Sequence, residues 1–130
     1  MNNQCLCGKK MPFLQCCEPY LKGTAIASTP EELMRSRYSA YALGGYGEYL
    51  LKTWFPPMAS GMTATELSKR TQQWLSLEII GSGSKGADGW VEFKATSQVN
   101  SVNSVMHERS IFSLIGGRWL YIGGEVTFNS

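Results

Sequence analysis

The spacing of apolar residues changes once along this chain, and that change limits the fold more than any other feature. From about residue 29 to residue 72 the apolar positions fit helical intervals. From Trp74 onward they form runs with partial alternation that are rich in β-branched and aromatic residues: WLSLEII, WVEFKAT, VMHERSIFSLI and WLYIGGEV. The separators between these runs are short, which favours an antiparallel meander because parallel strands need long crossovers. This order of helical segments followed by strands predicts an α+β fold, in which helices precede a four-stranded antiparallel sheet.

Capping residues predict three helices ahead of the sheet. Thr29 and Glu32 form a capping box, Pro30 suits the first helical position, and glycines 44 and 45 end this helix. Shorter helices are predicted at about residues 46–53 and 64–72. We expect the first helix to lie in the concave face of the sheet, over a core supplied mainly by Trp74, Phe93, Phe112, Trp119 and Tyr121.

All four cysteines of the 130-residue chain stand between positions 5 and 17, in the pattern C-x-C, eight residues, C-C. Four thiolates complete a tetrahedral zinc shell without an open position, which is the composition of a structural site. The eight intervening residues are long enough to loop back, and Gly8 permits a close backbone approach. The pattern therefore predicts a zinc site formed by Cys5, Cys7, Cys16 and Cys17. Two disulfides, four reduced thiols or an iron–sulfur cluster are the alternatives.

Composition limits the class of protein. The chain is 43% hydrophobic and 17% charged, as in a globular domain, and no apolar run reaches the roughly 20 residues that span a bilayer. The start MNNQ lacks the features of a signal peptide, so we expect a cytoplasmic protein with reduced thiols, where cysteine clusters favour metal binding. The formal net charge of +2 carries no strong nucleic-acid signal, which makes an RNA contact the weakest hypothesis.

An α+β domain with a long helix across its sheet often holds a pocket between the two. His107 is the only histidine, and on a strand it shares a face with Arg109, while Glu108 points the other way. The chain offers no clear acid–base partner for it, so we assign no catalytic residue and favour a non-enzymatic role. The candidates to line the pocket are Arg35, Arg37, Tyr38, Tyr41, Trp54, His107, Glu108 and Arg109, with at most one of the first two arginines entering it.

Several segments resemble one bacterial family. CLCG followed by CC resembles the SEC-C motif, a short zinc knuckle also found at the C-terminus of the preprotein translocase ATPase. Together with CCEPYLKG, ELMRSRYSAY, YLLKTWFP, HERSIF and GRWLYIGG, the whole chain resembles the YchJ-like family of small uncharacterised bacterial proteins. The resemblance implies a SEC-C-like zinc knuckle at residues 1–24, with the four cysteines as ligands. It also implies a cystatin-like, or nuclear-transport-factor-2-like, cone at residues 25–130.

The chain departs from the family pattern at three places. Leu6 and Lys9 replace the proline and serine of the usual knuckle, and these positions shape the turn without supplying ligands. Phe55 stands where the family often has histidine, so no histidine role transfers to it. The sequence reaches Ser130 without the second knuckle of some members, so we expect no bridging function that needs two.

Two functional hypotheses follow. In the first, the metal orders an interaction module that contacts a partner protein through Lys10 and Phe13, because the apolar segment MPFL lies in a loop too small to bury it. The alternative for this segment is that it packs on the cone. In the second hypothesis, the cone pocket serves a small-ligand-binding protein or an enzyme, a reading that depends mainly on analogy of fold.

Overall fold

The computed structural model describes residues 4–129, and the predicted order of helices followed by a four-stranded antiparallel sheet is confirmed. Residues 1–3 and 130, the outer ends of the two predicted segments, lie outside the described residues. None of the helices within residues 4–129 is long and apolar enough to cross a membrane. The helices are α1 (Glu18–Lys22), α2 (Pro30–Leu43), α3 (Gly47–Lys52) and α4 (Ala64–Leu67), with 3₁₀ turns at Phe13–Gln15 and Pro56–Ala59. The strands are β1 (Gln73–Lys85), β2 (Asp88–Val99), β3 (Val102–Ile115) and β4 (Arg118–Asn129).

The sheet is a meander in the order β1-β2-β3-β4, and its strands extend well beyond the predicted runs. Two-residue turns join them, and Asn100 and Ser101 adopt φ of 53° and 65°, the left-handed values that tight hairpins require. The glycine-rich separator after residue 80 was expected to be a loop, but most of it is strand. Gly83 pairs with Trp90, whose ring fills the space where a Cβ on Gly83 would come within 2.8 Å. Cross-strand packing by the tryptophan therefore outweighs the low strand propensity of glycine.

Helix α2 starts as its capping residues predict. The Glu32 N–H donates to Thr29 Oγ1 at 3.1 Å, while the Glu32 carboxylate accepts from the Ser28 N–H at 2.9 Å, one residue earlier than the usual reciprocal bond. The helix packs across β1 and β2. Of the predicted core residues, three are buried, whereas Trp74 and Tyr121 are only half-buried at its edge. The buried core between helix and sheet includes Leu33, Met34, Tyr38, Val91, Phe93, Phe112 and Trp119.

Two helices differ from the sequence prediction. Helix α4 ends at Leu67 rather than near residue 72, because Ser68 is engaged by the link between α2 and α3. The Ser68 carbonyl accepts from the Gly45 N–H at 2.9 Å, and its hydroxyl accepts from the Gly47 N–H at 2.8 Å. Helix α1 was not predicted; it has five residues and ends at Gly23, which adopts a left-handed φ of 84°.

Candidate metal centre and cone pocket

The four cysteine side chains converge on one point. Their sulfurs all lie within 4.8 Å of one another, all four residues are buried, and none forms a disulfide. The Cys7 and Cys16 sulfurs are 3.6 Å apart. In a tetrahedral zinc site with Zn–S bonds of about 2.3 Å, neighbouring sulfurs are separated by about 3.8 Å. The cluster can therefore hold a thiophilic metal ion with only small shifts of its side chains.

The backbone around the cluster doubles back over a few residues. The Cys5 N–H donates to the Met11 carbonyl at 2.8 Å, and Gly8 turns the chain between them with a φ of +88°. The second cysteine pair connects the 3₁₀ turn to α1, so that both its sulfurs face the first pair. A Cβ at Gly8 would lie 3.0 Å from the Leu77 carbonyl oxygen, which shows how closely this turn approaches β1.

Helix α2 holds the cluster from the other side. Arg35 Nη1 donates to the Cys7 carbonyl at 2.7 Å, and its Nε donates to Glu31 at 2.9 Å. The fully buried Ser39 hydroxyl lies 3.5 Å from the Cys5 sulfur, within hydrogen-bonding distance. The sequence names Arg35 as a candidate to line the pocket. Instead Arg35 is half-buried and fixes the cysteine segment, residues 4–24, through a contact between residues 28 positions apart that sequence spacing does not reveal.

The thiols affect one another's ionisation strongly. Hydrogen bonds from the thiols of Cys17 and Cys7 lower the pKa of Cys5. The same hydrogen bond between Cys17 and Cys5 raises the pKa of Cys17. Burial raises the pKa of Cys16 to about 12. Without a cation, the buried cluster therefore stabilises negative charge at Cys5 and opposes further ionisation at Cys16 and Cys17. A divalent ion would supply the positive charge that full ionisation requires.

A second site lies between α2 and the sheet, where a cavity of about 220 Å³ is present. Four of the predicted residues line it: Arg37, Tyr38, Tyr41 and Glu108. The other lining residues are Met34, Trp74, Phe93, Ala95, Met106, Ser110 and Tyr121. Ser110 could have been found from sequence, because strand alternation places it on the same face as Glu108. The contributions from β1, β2 and β4 depend on strand register, which the sequence did not define.

Besides Arg35, three expected pocket residues lie elsewhere, which corrects the sequence expectation. His107 and Arg109 occupy the opposite face of β3, because successive side chains on a strand alternate. The His107 Nε2 is 2.7 Å from a Glu92 carboxylate oxygen, and the Arg109 guanidinium stacks on the Trp90 ring at 4.4 Å. Trp54 is outside the cavity lining, with its ring centre 5.5 Å from the guanidinium carbon of Arg37.

The polar side of the cavity is formed by an acid, two hydroxyls and a guanidinium. Glu108 is 7% exposed, and its Oε2 accepts hydrogen bonds from the hydroxyls of Ser110 and Tyr121, the latter at 3.0 Å. Arg37 is 4% exposed and donates from Nη1 to the Leu50 carbonyl, at 2.7 Å. Burial lowers the pKa of Arg37, opposed by nearby tyrosines and Glu108. The negative charge of Glu108 thus favours the charged form of Arg37. Within residues 4–129, however, Arg37 forms no ion pair at 4.0 Å or less.

The two residues expected to contact a partner have different environments. Lys10 is exposed. Phe13 is half-buried and packs against the main core and against a smaller cluster formed by Leu21, Ala40, Leu50 and Leu67. It therefore contributes to internal packing, as the alternative interpretation of MPFL proposed. Among residues 4–24, the large apolar side chains left in solvent are Leu6, 49% exposed, and Leu14, 66% exposed.

The helices packed on a four-stranded meander, with four clustered cysteines ahead of them, define an NTF2-like α+β protein with a cysteine-rich N-terminal motif. The family described as "YchJ, middle NTF2-like domain" matches residues 29–124. The chain belongs to this YchJ family, and the resemblance found in the sequence is confirmed.

Relatives and solved structures support the same assignment. A UPF0225 protein of Serratia proteamaculans is 38% identical, over 95% of this chain and 84% of its own, and one of Photorhabdus laumondii is 36% identical, over 95% and 81%. The solution structure of a SEC-C motif containing protein from Rhodopseudomonas palustris aligns with a TM-score of 0.86 at 36% identity, covering 94% of this chain and 97% of that one. The crystal structure of a SEC-C motif containing protein from Psychrobacter arcticus aligns with a TM-score of 0.82 at 25% identity, covering 98% and 84%.

Proposed function

We propose that this chain is a cytoplasmic zinc protein in which Cys5, Cys7, Cys16 and Cys17 hold the ion in a closed structural site. The observation that carries the proposal is the mutual approach of four buried sulfurs to within 4.8 Å. This arrangement suits one tetrahedral ion better than two disulfides, in which each sulfur would have a single partner at about 2 Å. When bound, the ion would neutralise thiolate charge and fix the geometry of the cysteine segment, residues 4–24. Reduced thiols are consistent with the cytoplasm.

Metal analysis of the full chain, purified under reducing conditions, tests this proposal. We expect one zinc per chain and four thiols that react only after chelation, whereas the Cys16→Ser variant loses the ion. The Ser60→Ala variant, which changes an exposed residue far along the chain, serves as the control and keeps it. Freshly prepared protein that is free of metal, contains iron, or has its cysteines joined in disulfides would contradict the proposal.

The cysteine segment, once ordered, has the exposed side chains of an interaction module. Leu6 and Leu14 present apolar surface, and Lys9 and Lys10 are exposed and cationic. The partner we propose is therefore a protein with an apolar site next to acidic residues, because this combination complements both features.

Crosslinking to partner proteins in cell extract tests the interaction through variants. Leu14→Ser and Lys10→Glu should each remove a specific crosslinked partner, while both variants retain zinc. Ile26→Ser is the matched control, because it changes an apolar side chain that is 55% exposed but outside the cysteine segment. If every partner survives the Leu14 and Lys10 changes, or if Ile26→Ser removes the same partner, the interaction role is wrong.

A second candidate function is the binding of a small ligand in the cone pocket. It is favoured by one observation: a cavity of about 220 Å³ with mainly apolar walls reaches a buried carboxylate at Glu108. Binding of a small aromatic probe to the full chain, lost when Ala95→Phe fills the cavity, would support this function. If Ala95→Phe leaves the affinity for the probe unchanged, the ligand-binding function is contradicted.

A further inference from the structure

We propose that the cone cavity binds a neutral, single-ring molecule that donates one hydrogen bond to Glu108. The inference rests on the second candidate function and names the chemical class of its ligand.

The size and walls of the cavity determine the body of the ligand. An apolar cavity of roughly 150 Å³ is large enough for benzene, so about 220 Å³ accommodates one six-membered ring with a short substituent. Aromatic side chains favour an aromatic ring because they offer edge and face contacts. The apolar walls come from Met34, Tyr38, Trp74, Phe93, Ala95 and Met106.

The hydrogen bonds of Glu108 determine the polar group of the ligand. Ser110 and Tyr121 both donate to Oε2, which holds the carboxylate in place from one side. Among residues 4–129 these two hydroxyls donate to Oε2 alone, so the other oxygen, Oε1, is the acceptor left for a ligand. The carboxylate belongs to a residue more than nine-tenths buried. A carboxylate in this position gains from a donor such as a hydroxyl and discriminates against a molecule that has none.

The charges at the cavity determine the charge of the ligand. Glu108 and Arg37 both line it, so the site already contains one negative and one positive group. A ligand ion of either sign would be attracted by one of these groups and repelled by the other, so the two effects oppose each other. Because the ion would also lose its hydration on entering the cavity, a neutral donor is favoured over either ion.

Four probes of matched size separate these contributions. Toluene lacks a polar group, benzyl alcohol has a neutral donor, benzylamine is cationic and benzoate is anionic. Titrations of the zinc-loaded full chain, followed by NMR shifts of the Trp74 indole and its neighbours, measure each dissociation constant. We expect benzyl alcohol to bind about tenfold tighter than toluene, and tighter than both ions.

Variants of Glu108 assign the preference to its carboxylate. Glu108→Met fills similar volume without an acceptor, so the ratio of benzyl alcohol to toluene affinity should fall to about one. Glu108→Gln removes the negative charge but keeps the shape, so benzoate should gain at least severalfold. Glu92→Gln is the control: this carboxylate lies on the other face of the sheet beside His107, and its loss should leave all four affinities unchanged.

The outcomes separate the two levels of the proposal. If no probe, including toluene, binds the wild-type chain, the second candidate function itself fails. If toluene binds but benzyl alcohol gains nothing over it, or an ionic probe binds most tightly, the pocket is a binding site and the inferred ligand class is wrong. An unchanged alcohol preference in folded Glu108→Met, checked by its thermal unfolding, would also overturn the inference.

Discussion

The cysteine segment and the cone, residues 25–129, obtain their order in different ways. The segment has no element longer than five residues, and its buried positions are mostly the cysteines themselves. The cone has strands of 12 to 14 residues and a continuous apolar core. The cysteines nevertheless belong to the same hydrophobic cluster as Leu33 and Tyr38. We therefore expect the proposed ion to order the segment, whereas burial of apolar surface stabilises the cone.

Metal removal is expected to have the largest effect, and it acts unequally on the two regions. Structural zinc sites in small peptides contribute about 10–16 kcal/mol of binding free energy, more than the short elements of the segment can replace. After chelation the Cys5 amide, which donates to Met11, should lose its protection from hydrogen exchange, while amides of the central strands β2 and β3 keep theirs. Simultaneous loss of protection in the sheet would show that the two regions form one cooperative unit.

Truncation of a core side chain in the cone should have the second-largest effect. It should destabilise the cone and leave the metal site of the segment unchanged. Phe112 is fully buried and packs edge-on against Tyr121, with 5.8 Å between ring centres. Phe112→Ala should lower the free energy of unfolding by about 3–5 kcal/mol, measured by urea denaturation, without changing the zinc content of the folded protein. Ile111→Ala removes its exposed neighbour and should cost far less. Loss of zinc from folded Phe112→Ala would mean that the site depends on the sheet core.

The sequence predicts the cone better than it predicts how the segment attaches to it. Apolar spacing and capping residues are local signals, so the order of elements and the start of α2 at Thr29 are correct. The strand through Gly81 and Gly83 was missed because it depends on Trp90, on another strand. A local composition rich in glycine carries no information about that neighbour.

The same distinction applies to the two candidate sites. Clustering in sequence was enough to predict that the cysteines lie together, whereas the identity of the ion stays a prediction. The hydrogen bond from Arg35 to the Cys7 carbonyl could not be predicted, since no local sequence pattern relates residues 28 positions apart. In the pocket, strand alternation separates Glu108 from His107, but only the fold shows which of the two faces α2.

The third prediction concerns the hydrogen bond from Arg35 to the Cys7 carbonyl, which connects the cone to the cysteine segment. Arg35→Met removes the donor to the Cys7 carbonyl while keeping an apolar side chain of similar length. Loss of a group that supports metal ligands typically weakens metal affinity by about 10- to 100-fold, or about 1.4–2.8 kcal/mol. Competition with a zinc chelator measures the change. The control Lys22→Met removes an exposed cation of α1 that pairs with Glu18 at 3.8 Å, and it should alter metal affinity little.

The smallest expected effect tests the approach of the segment to β1. Gly8 and Gly23 both adopt left-handed φ values, 88° and 84°, so an alanine at either position incurs a similar backbone cost. Only at Gly8 would the new Cβ meet a neighbour, the Leu77 carbonyl oxygen at 3.0 Å, while nothing lies within 4 Å at Gly23. Gly8→Ala should therefore destabilise the zinc-loaded protein by about 1 kcal/mol more than Gly23→Ala in thermal or urea unfolding. Equal losses would mean that the segment shifts away from β1 at little cost, and its attachment would then depend on Arg35 and the cysteines rather than on close packing against the sheet.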